Sequence, residues 1–115
     1  MKFKLTKTLI EEISLLIEEK KLSSLIYKFE NMHPADTAEI IKNINIKTAK
    51  TIIQKLNKEL SAEILIELED EIRDKILSEF TPKKIAKEVI YNLDSDDATD
   101  VIQDLPEDKK IKVLS

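Results

Sequence analysis

The fold of this chain is decided by residues 38–68, AEIIKNINIKTAKTIIQKLNKELSAEILIEL, which hold three copies of one apolar pattern. In each copy an adjacent apolar pair is followed, three or four residues later, by one large apolar residue. The pattern continues along the chain with gaps of 12, 12, 12, 13 and 12 residues between the large residues. These are Ile44, Leu56, Leu68, Phe80, Leu93 and Leu105. Such spacing forms one stripe of an α-helix. Because helices of three turns are marginal alone, the pattern predicts an all-α stack of short antiparallel helices.

Two further helices are predicted before the array, over residues 4–19 and 21–31, because apolar residues recur there at helical spacing. Lys20-Lys21 separates them as a break. We expect a single domain, since one hydrophobic core suits a chain of 115 residues. Its predicted divisions are 1–115 for the domain, 1–32 for the leading helices and 33–115 for the repeat array. The last unit is cut short before its terminal large residue, as expected for a piece of a longer protein.

Helix ends and core residues can be predicted from residue type. The chain has no Gly, so Asn is the best remaining residue for a left-handed helix stop. The Asn residues at unit ends are Asn43, Asn45, Asn57 and Asn92. Good N-cap candidates are Thr81 and either Asp94 or Ser95. Four large side chains fall on apolar stripes and are predicted to be core: Tyr27, Phe29, Met32 and Phe80.

Composition and charge exclude several classes of function. The chain has no Cys, which excludes disulfides and thiolate chemistry, and no apolar run approaches the ~20 residues that span a bilayer. Residues 1–60 carry 11 basic and 8 acidic residues, whereas residues 61–115 carry 8 basic and 15 acidic residues. An acidic half with few aromatic residues points toward cations or basic partners and away from nucleic acid.

A column of carboxylates is the first candidate site. Asp96, Asp100 and Asp104 follow one another at four-residue spacing, with Asp97 beside them, and no Lys or Arg occurs from residue 88 to 108. On a helix these like charges repel, and a divalent cation such as Mg²⁺ would relieve the repulsion. The alternative interpretation is a solvated acidic face whose first turn is favoured by the helix dipole.

The repeat register suggests a second acidic feature. Glu39, Glu63 and Glu88 occupy the same position in alternate units, and alternate units of such a stack lie in one layer. They would form an acidic row, unless they are ordinary solvent-facing Glu residues of high helix propensity. His33 stands before Pro34 at a helix entrance, where a capping or packing role is expected. No catalytic constellation or phosphate-binding loop emerges, so an enzyme is not predicted.

Two motifs resemble a known family. They are His33-Pro34-Ala35-Asp36 and residues 93–106, LDSDDATDVIQDLP. Together with the repeat they resemble the cytosolic N-terminal domain of MgtE-type magnesium transporters, over about residues 5–115. The middle domain of the flagellar motor switch protein has related helical units. A helical-repeat interaction scaffold that is indifferent to metal is therefore the alternative.

The resemblance implies a right-handed superhelix and a specific regulatory role. In the family the domain senses Mg²⁺ at the cytoplasmic face of the membrane, where the ion lies between its acidic surface and CBS domains of the same polypeptide. Binding favours closure of the membrane pore, and the full-length transporters are homodimers. Carried over to this chain, the Mg²⁺ ligands are Asp96, Asp100 and Glu63. Asp97 and Asp104 are supporting acids without a firm family counterpart.

Overall fold

The structure is a computed structural model that describes residues 7–115, and this part of the chain is helical and contains no β-strand. The segments are α1 (Lys7–Glu18), α2 (Leu22–Glu30), α3 (Pro34–Ile41), α4 (Ile46–Lys55), α5 (Lys58–Glu67), α6 (Asp70–Leu77), α7 (Pro82–Lys84) with a π turn (Ile85–Val89) and a 3-10 turn (Ile90–Asn92), α8 (Ser95–Asp104) and α9 (Glu107–Leu114). The predicted all-α class is confirmed. The start of the first predicted helix, residues 4–6, lies outside the described residues.

The helix ends explain how a chain without glycine forms sharp turns. Lys20 has φ 56°, and no other residue described between 7 and 115 has a positive φ, so the break predicted at Lys20-Lys21 is confirmed. The prediction that Asn residues stop helices in the left-handed conformation is wrong. Asn45 and Asn57 instead begin the next helices, because each side-chain oxygen accepts a hydrogen bond from the backbone N–H two residues on, at 2.9 Å in both cases.

Helix C-termini are closed by side-chain amides and lysines. The amide groups of Asn43 and Asn92 donate to the carbonyl groups four residues earlier, at 3.1 and 3.0 Å. The Lys58 ammonium donates to the Gln54 carbonyl at 2.8 Å, and that of Lys109 donates to the Ser78 carbonyl at 2.9 Å. These donors satisfy carbonyl groups that a helix end leaves without an intrahelical partner.

Alternate units pack side by side, as the repeat predicts. Helix α3 contacts α5, and α5 contacts the π and 3-10 turns, while α2 contacts α4 and α4 contacts α6. Two layers of short helices result, and their apolar stripes meet in one core. The handedness of the superhelix stays a prediction.

The one 13-residue unit has a distinct backbone. Between Phe80 and Leu93 the chain forms the π turn, and the N–H of Ile90 points to the carbonyl groups of both Ala86 and Ile85. A wider turn absorbs one inserted residue without rotating the apolar positions that follow it. Ile85 and Val89 are both buried, and so are Val101 and Leu105 of the following unit.

The core is continuous from the leading helices to α8. Its buried side chains include Ile13 and Phe29 before the repeat array and Val101 and Leu105 near its end. The core positions predicted for Phe29 and Phe80 are confirmed, and Met32 packs partly buried against the same cluster. The prediction for Tyr27 is wrong, because its side chain is 71% exposed.

Candidate metal-binding surface

Helix α8 displays the predicted carboxylates on its outer side. It begins after Asp94, whose side chain makes no capping hydrogen bond, and it buries Val101 against the core. Asp96 and Asp100 lie one turn apart and are exposed. Within residues 7–115 neither carboxylate makes a side-chain hydrogen bond or an ion pair. Asp96 also lies in the first turn of the helix, where the positive end of the dipole favours a negative charge.

Two depressions lie on the surface beside α8, and Asp97 lines both of them. The first, of about 380 Å³, is lined by Asp97 together with Glu63, Glu67, Asp94 and His33 among others. The second, of about 370 Å³, is lined by Asp97 together with Asp70, Arg73, Asp100 and Asp104 among others. The structure thus places Glu63 and Asp100 in adjacent depressions. Asp96 lines neither of them.

The interpretation of an uncompensated carboxylate column is wrong for its C-terminal end. Arg73 of α6 is 4% exposed, and its Nη2 donates to Asp104 Oδ2 at 2.6 Å and to Asp70 Oδ1 at 3.0 Å. Asp104 therefore has a basic partner that stands 31 residues away in the chain. The column therefore has two parts. Asp104 at its C-terminal end is paired with Arg73, whereas Asp96 and Asp100 have no basic partner in the described residues.

Arg73 is the residue of this surface that was not predicted from the sequence, although two signals for its burial exist. It is the one arginine in a chain of 19 basic residues. It also stands three residues before buried Ile76, on the core side of α6. Arginine rather than lysine is the usual cation of buried ion pairs, because its planar group presents several donors in a fixed geometry.

The charge of this cluster also affects Asp74. Burial raises the pKa of its carboxyl group above the ordinary 3.8, and the negative charge of Asp104 raises the pKa further. The positive charge of Arg73 lowers the pKa, and the negative charge of Asp70 raises it slightly. One carboxylate oxygen of Asp74 is buried without a hydrogen-bond partner, as is Nε of Arg73. The pKa of Asp74 thus depends on Asp104, Arg73 and Asp70 together with burial.

The acidic row predicted from the repeat register consists of one unpaired and two paired carboxylates. Glu39 pairs with Lys42 at 2.8 Å, and Glu88 pairs with Lys58 at 2.8 Å. Glu63 is exposed and makes no side-chain hydrogen bond or ion pair within residues 7–115. The three residues lie on helices that contact one another, yet Glu63 alone keeps an unneutralised charge.

His33 has the capping role that was expected. Its Nδ1 accepts a hydrogen bond from the N–H of Ala35 at 3.1 Å, at the start of α3. A neutral imidazole that accepts at Nδ1 carries its proton on Nε2, so it cannot offer Nε2 to a metal without losing the cap. The ring lines the first depression, but it is not available as a metal ligand while it caps α3.

A complete metal site is not assembled from this surface alone. In the part of the chain that the structure describes, no group of three or more His, Cys, Asp or Glu side chains is close enough together to hold a metal ion. The same residues include no helix that combines the length and the apolar character needed to cross a membrane.

Comparison with known proteins agrees with the sequence motifs. The chain matches the family model of the MgtE intracellular N domain over residues 32–115, a stretch that contains both the HPAD and the DSDDATD motifs. No curated protein matches the chain. The matching family is associated with magnesium transport and is not a known family of enzymes. Since the match covers most of the chain, the protein belongs to the family of MgtE intracellular N domains, which are regulatory cytosolic domains of magnesium transporters.

Proposed function

We propose that this domain senses Mg²⁺ through Glu63, Asp96 and Asp100, and that binding favours closure of a transporter pore. Each carboxylate provides a half-site, directly or through a metal-bound water, and acidic residues of CBS domains in the same polypeptide complete the coordination. Membership of the MgtE family supports the Mg²⁺ assignment. The choice of residues rests on which carboxylates of this surface have no basic partner.

The observation that carries the proposal is the contrast between paired and unpaired acids. Glu39, Glu88 and Asp104 each have a basic partner within 2.8 Å. Glu63, Asp96 and Asp100 are exposed and have none in the described residues. Unpaired carboxylates that lie near one another repel, and a cation shared with a second acidic surface relieves that repulsion on both sides.

The donor chemistry suits Mg²⁺. This small ion prefers oxygen ligands, keeps several of its waters and is often held by only one or two carboxylates. The two depressions are roomy enough for a partly hydrated ion, since a water molecule occupies about 30 Å³ of liquid. Because the described residues contain no cluster of three acidic or other ligand groups, we expect weak binding by the isolated domain, with a Kd of about 1 mM or poorer. Micromolar binding by this chain alone would contradict a shared site.

The mechanism is a shift of population between two arrangements of the cytosolic part. At low Mg²⁺ the acidic surfaces repel, the domain swings away from the CBS domains and the pore opens. At high Mg²⁺ the ions bind the compact arrangement better than the open one, so they increase its population by that difference in affinity.

The decisive experiment measures Mg²⁺-dependent compaction of the full-length transporter by limited proteolysis. The variant carries Asp96→Asn and Asp100→Asn. We expect the Mg²⁺ concentration for half-maximal protection to rise by about tenfold or more, which corresponds to a loss of about 1.4 kcal/mol. The matched control carries Glu11→Gln and Glu30→Gln, two exposed acids of the leading helices without ion pairs in the described residues. Equal midpoints for both variants would refute the proposal.

The remaining parts of the assignment follow from the same proposal. The domain acts at the cytoplasmic face of the membrane, without catalysis and without nucleic acid, and its transporter is a homodimer. The gene beyond the codon for Ser115 tests this directly. Two CBS modules followed by about five apolar segments of ~20 residues would support it.

The alternative is a helical-repeat interaction scaffold related to the flagellar motor switch protein. It would be indifferent to Mg²⁺, and its gene would continue without membrane spans. Either finding would replace the transporter assignment.

A further inference from the structure

We propose that Arg73 is a built-in counter-cation that lies between Asp70 of α6 and Asp104 of α8 and keeps divalent cations away from this pair of carboxylates. The proposal assigns a specificity-determining role to a residue that does not itself bind Mg²⁺. Its second consequence, that Mg²⁺ is confined to the unpaired carboxylates, rests on the proposed function.

Arg73 brings carboxylate oxygens of two helices together at one nitrogen. One nitrogen of Arg73 lies 2.6 Å from an oxygen of Asp104 and 3.0 Å from an oxygen of Asp70. The two oxygens belong to different helices and converge on one point, as the oxygens of two monodentate ligands converge on an ion. Asp97 and Asp100 line the same depression as this pair of carboxylates. The guanidinium thus occupies the point at which a divalent cation could contact Asp70 and Asp104 together.

Burial of the Arg73 side chain also points to a specific role for its charge. The Arg73 side chain is 4% exposed, and its Nε is buried without a hydrogen-bond partner. Burying a cation costs free energy when some of its donors have no hydrogen-bond partner. Packing of α6 near α8 would not by itself require a buried cation. The cost is understandable if the charge is needed to compensate Asp70 and Asp104 at every Mg²⁺ concentration.

The functional consequence concerns selectivity between two parts of one surface. With Arg73 in place, Asp70 and Asp104 are paired and do not respond to Mg²⁺. Glu63, Asp96 and Asp100 have no basic partner in the described residues, and they are the carboxylates left to respond to the ion. Regulation through a shared interface requires this separation, because a second site within the domain would bind Mg²⁺ without any contact to a partner.

The test removes the counter-cation in the isolated chain and asks whether Mg²⁺ replaces it. Arg73→Gln should lower the melting temperature in the absence of divalent ions. MgCl₂ should then restore it, with half-maximal recovery at about 1 mM, a typical value for weak carboxylate sites. Ionic strength is held constant with KCl so that screening does not contribute. The matched control is Lys75→Gln on the same helix, whose ammonium is exposed and pairs with exposed Glu71 at 3.5 Å.

Recovery by Mg²⁺ in Arg73→Gln but not in Lys75→Gln or the unsubstituted chain supports the proposal. The same Mg²⁺ response in Arg73→Gln and Lys75→Gln overturns it. A second measurement does not depend on the folding of Arg73→Gln. In Mg²⁺ titrations followed by NMR, Asp70→Asn should leave the apparent affinity of the chain unchanged, because its carboxylate already serves Arg73.

The two proposals fail in different ways in that titration. Weaker Mg²⁺ binding by Asp70→Asn would overturn the role of Arg73, since it would show that the ion binds at Asp70 although Arg73 is present. If Asp100→Asn instead has no effect on Mg²⁺ binding or on closure of the full-length protein, the proposed sensing role of Asp100 is wrong. The role of Arg73 would still be decided by recovery of the Arg73→Gln variant.

Discussion

Asp104→Asn should destabilise the domain, whereas Asp100→Asn, one turn earlier on the same helix, should not. The substitution replaces the carboxylate that accepts from Arg73 at 2.6 Å by a neutral amide of nearly the same shape. The buried guanidinium then keeps Asp70 as its one charged partner, and the Asp70 side chain is 76% exposed. We therefore expect Asp104 to be structural, in contrast to Asp96 and Asp100.

The magnitude follows from the burial of the two partners. Removing one partner of a fully buried ion pair costs about 3–5 kcal/mol, whereas an exposed pair contributes about 0–1 kcal/mol. Here Arg73 is 4% exposed but Asp104 is 37% exposed, so water can partly replace the lost carboxylate. Relief of repulsion between Asp104 and its neighbours Asp74 and Asp100 offsets part of the loss. We expect a decrease of about 1–2 kcal/mol in the free energy of unfolding, close to that for one charged hydrogen bond.

The assay is urea unfolding followed by circular dichroism at neutral pH without divalent ions, supported by thermal melts. For a domain of this size the expected loss lowers the melting temperature by about 4–8 °C. Asp100→Asn on the same helix is the matched control, and it should change stability by less than about 0.5 kcal/mol. If the two variants unfold at the same urea concentration, the ion pair with Arg73 contributes nothing and the reasoning is refuted.

The other predictions concern the outer acids, a helix cap, the leading helices and a perturbed carboxyl group. Asp96→Asn combined with Asp100→Asn should preserve helicity, and at low Mg²⁺ it should slightly raise the melting temperature, because like charges one turn apart are removed. Asn57→Ala should cost about 1 kcal/mol in urea unfolding, since the side chain caps α5, whereas Asn57→Asp should cost little. Phe29→Ala should cost about 3–5 kcal/mol and keep one cooperative transition, because this fully buried ring belongs to the common core. Asp74→Asn should stabilise the domain at neutral pH, and the gain should shrink as pH falls toward 3.8 in a series of unfolding measurements.

The sign of the pH prediction follows from linkage. Because the folded-state pKa of Asp74 is raised, the folded state binds a proton more readily than the unfolded state between pH 3.8 and that raised pKa. The stability contributed by the group is present in the acidic range and is lost as pH rises through the folded pKa. A gain from Asp74→Asn that grows toward acidic pH would contradict this direction.

Loss of helical signal in the Asp96 and Asp100 double variant would make those acids structural. Equal stability of Asn57→Ala and Asn57→Asp would remove the capping role. A separate early transition for α1 and α2 would divide the predicted single domain of residues 1–115, and Phe29→Ala would then shift that early transition alone.

Much of the site could be predicted because its chemistry repeats a local pattern. The four-residue spacing of Asp96 and Asp100 requires only that α8 be a helix. The neutralisation of Asp104 could not be derived in that way, since it depends on α6 and α8 meeting at Arg73. The same holds for Glu88, which pairs with Lys58 across two contacting segments.

The sequence by itself determined that this protein is a stack of short helices with the family's acidic motif, because helical periodicity and caps depend on residues only a few positions apart. Tertiary structure decided which of the acids stay unpaired. It also decided that one inserted residue is absorbed in a π turn and that Tyr27 faces solvent. The physical reason is that electrostatic pairing depends on distance in space, and the ion pair between Arg73 and Asp104 joins residues 31 positions apart.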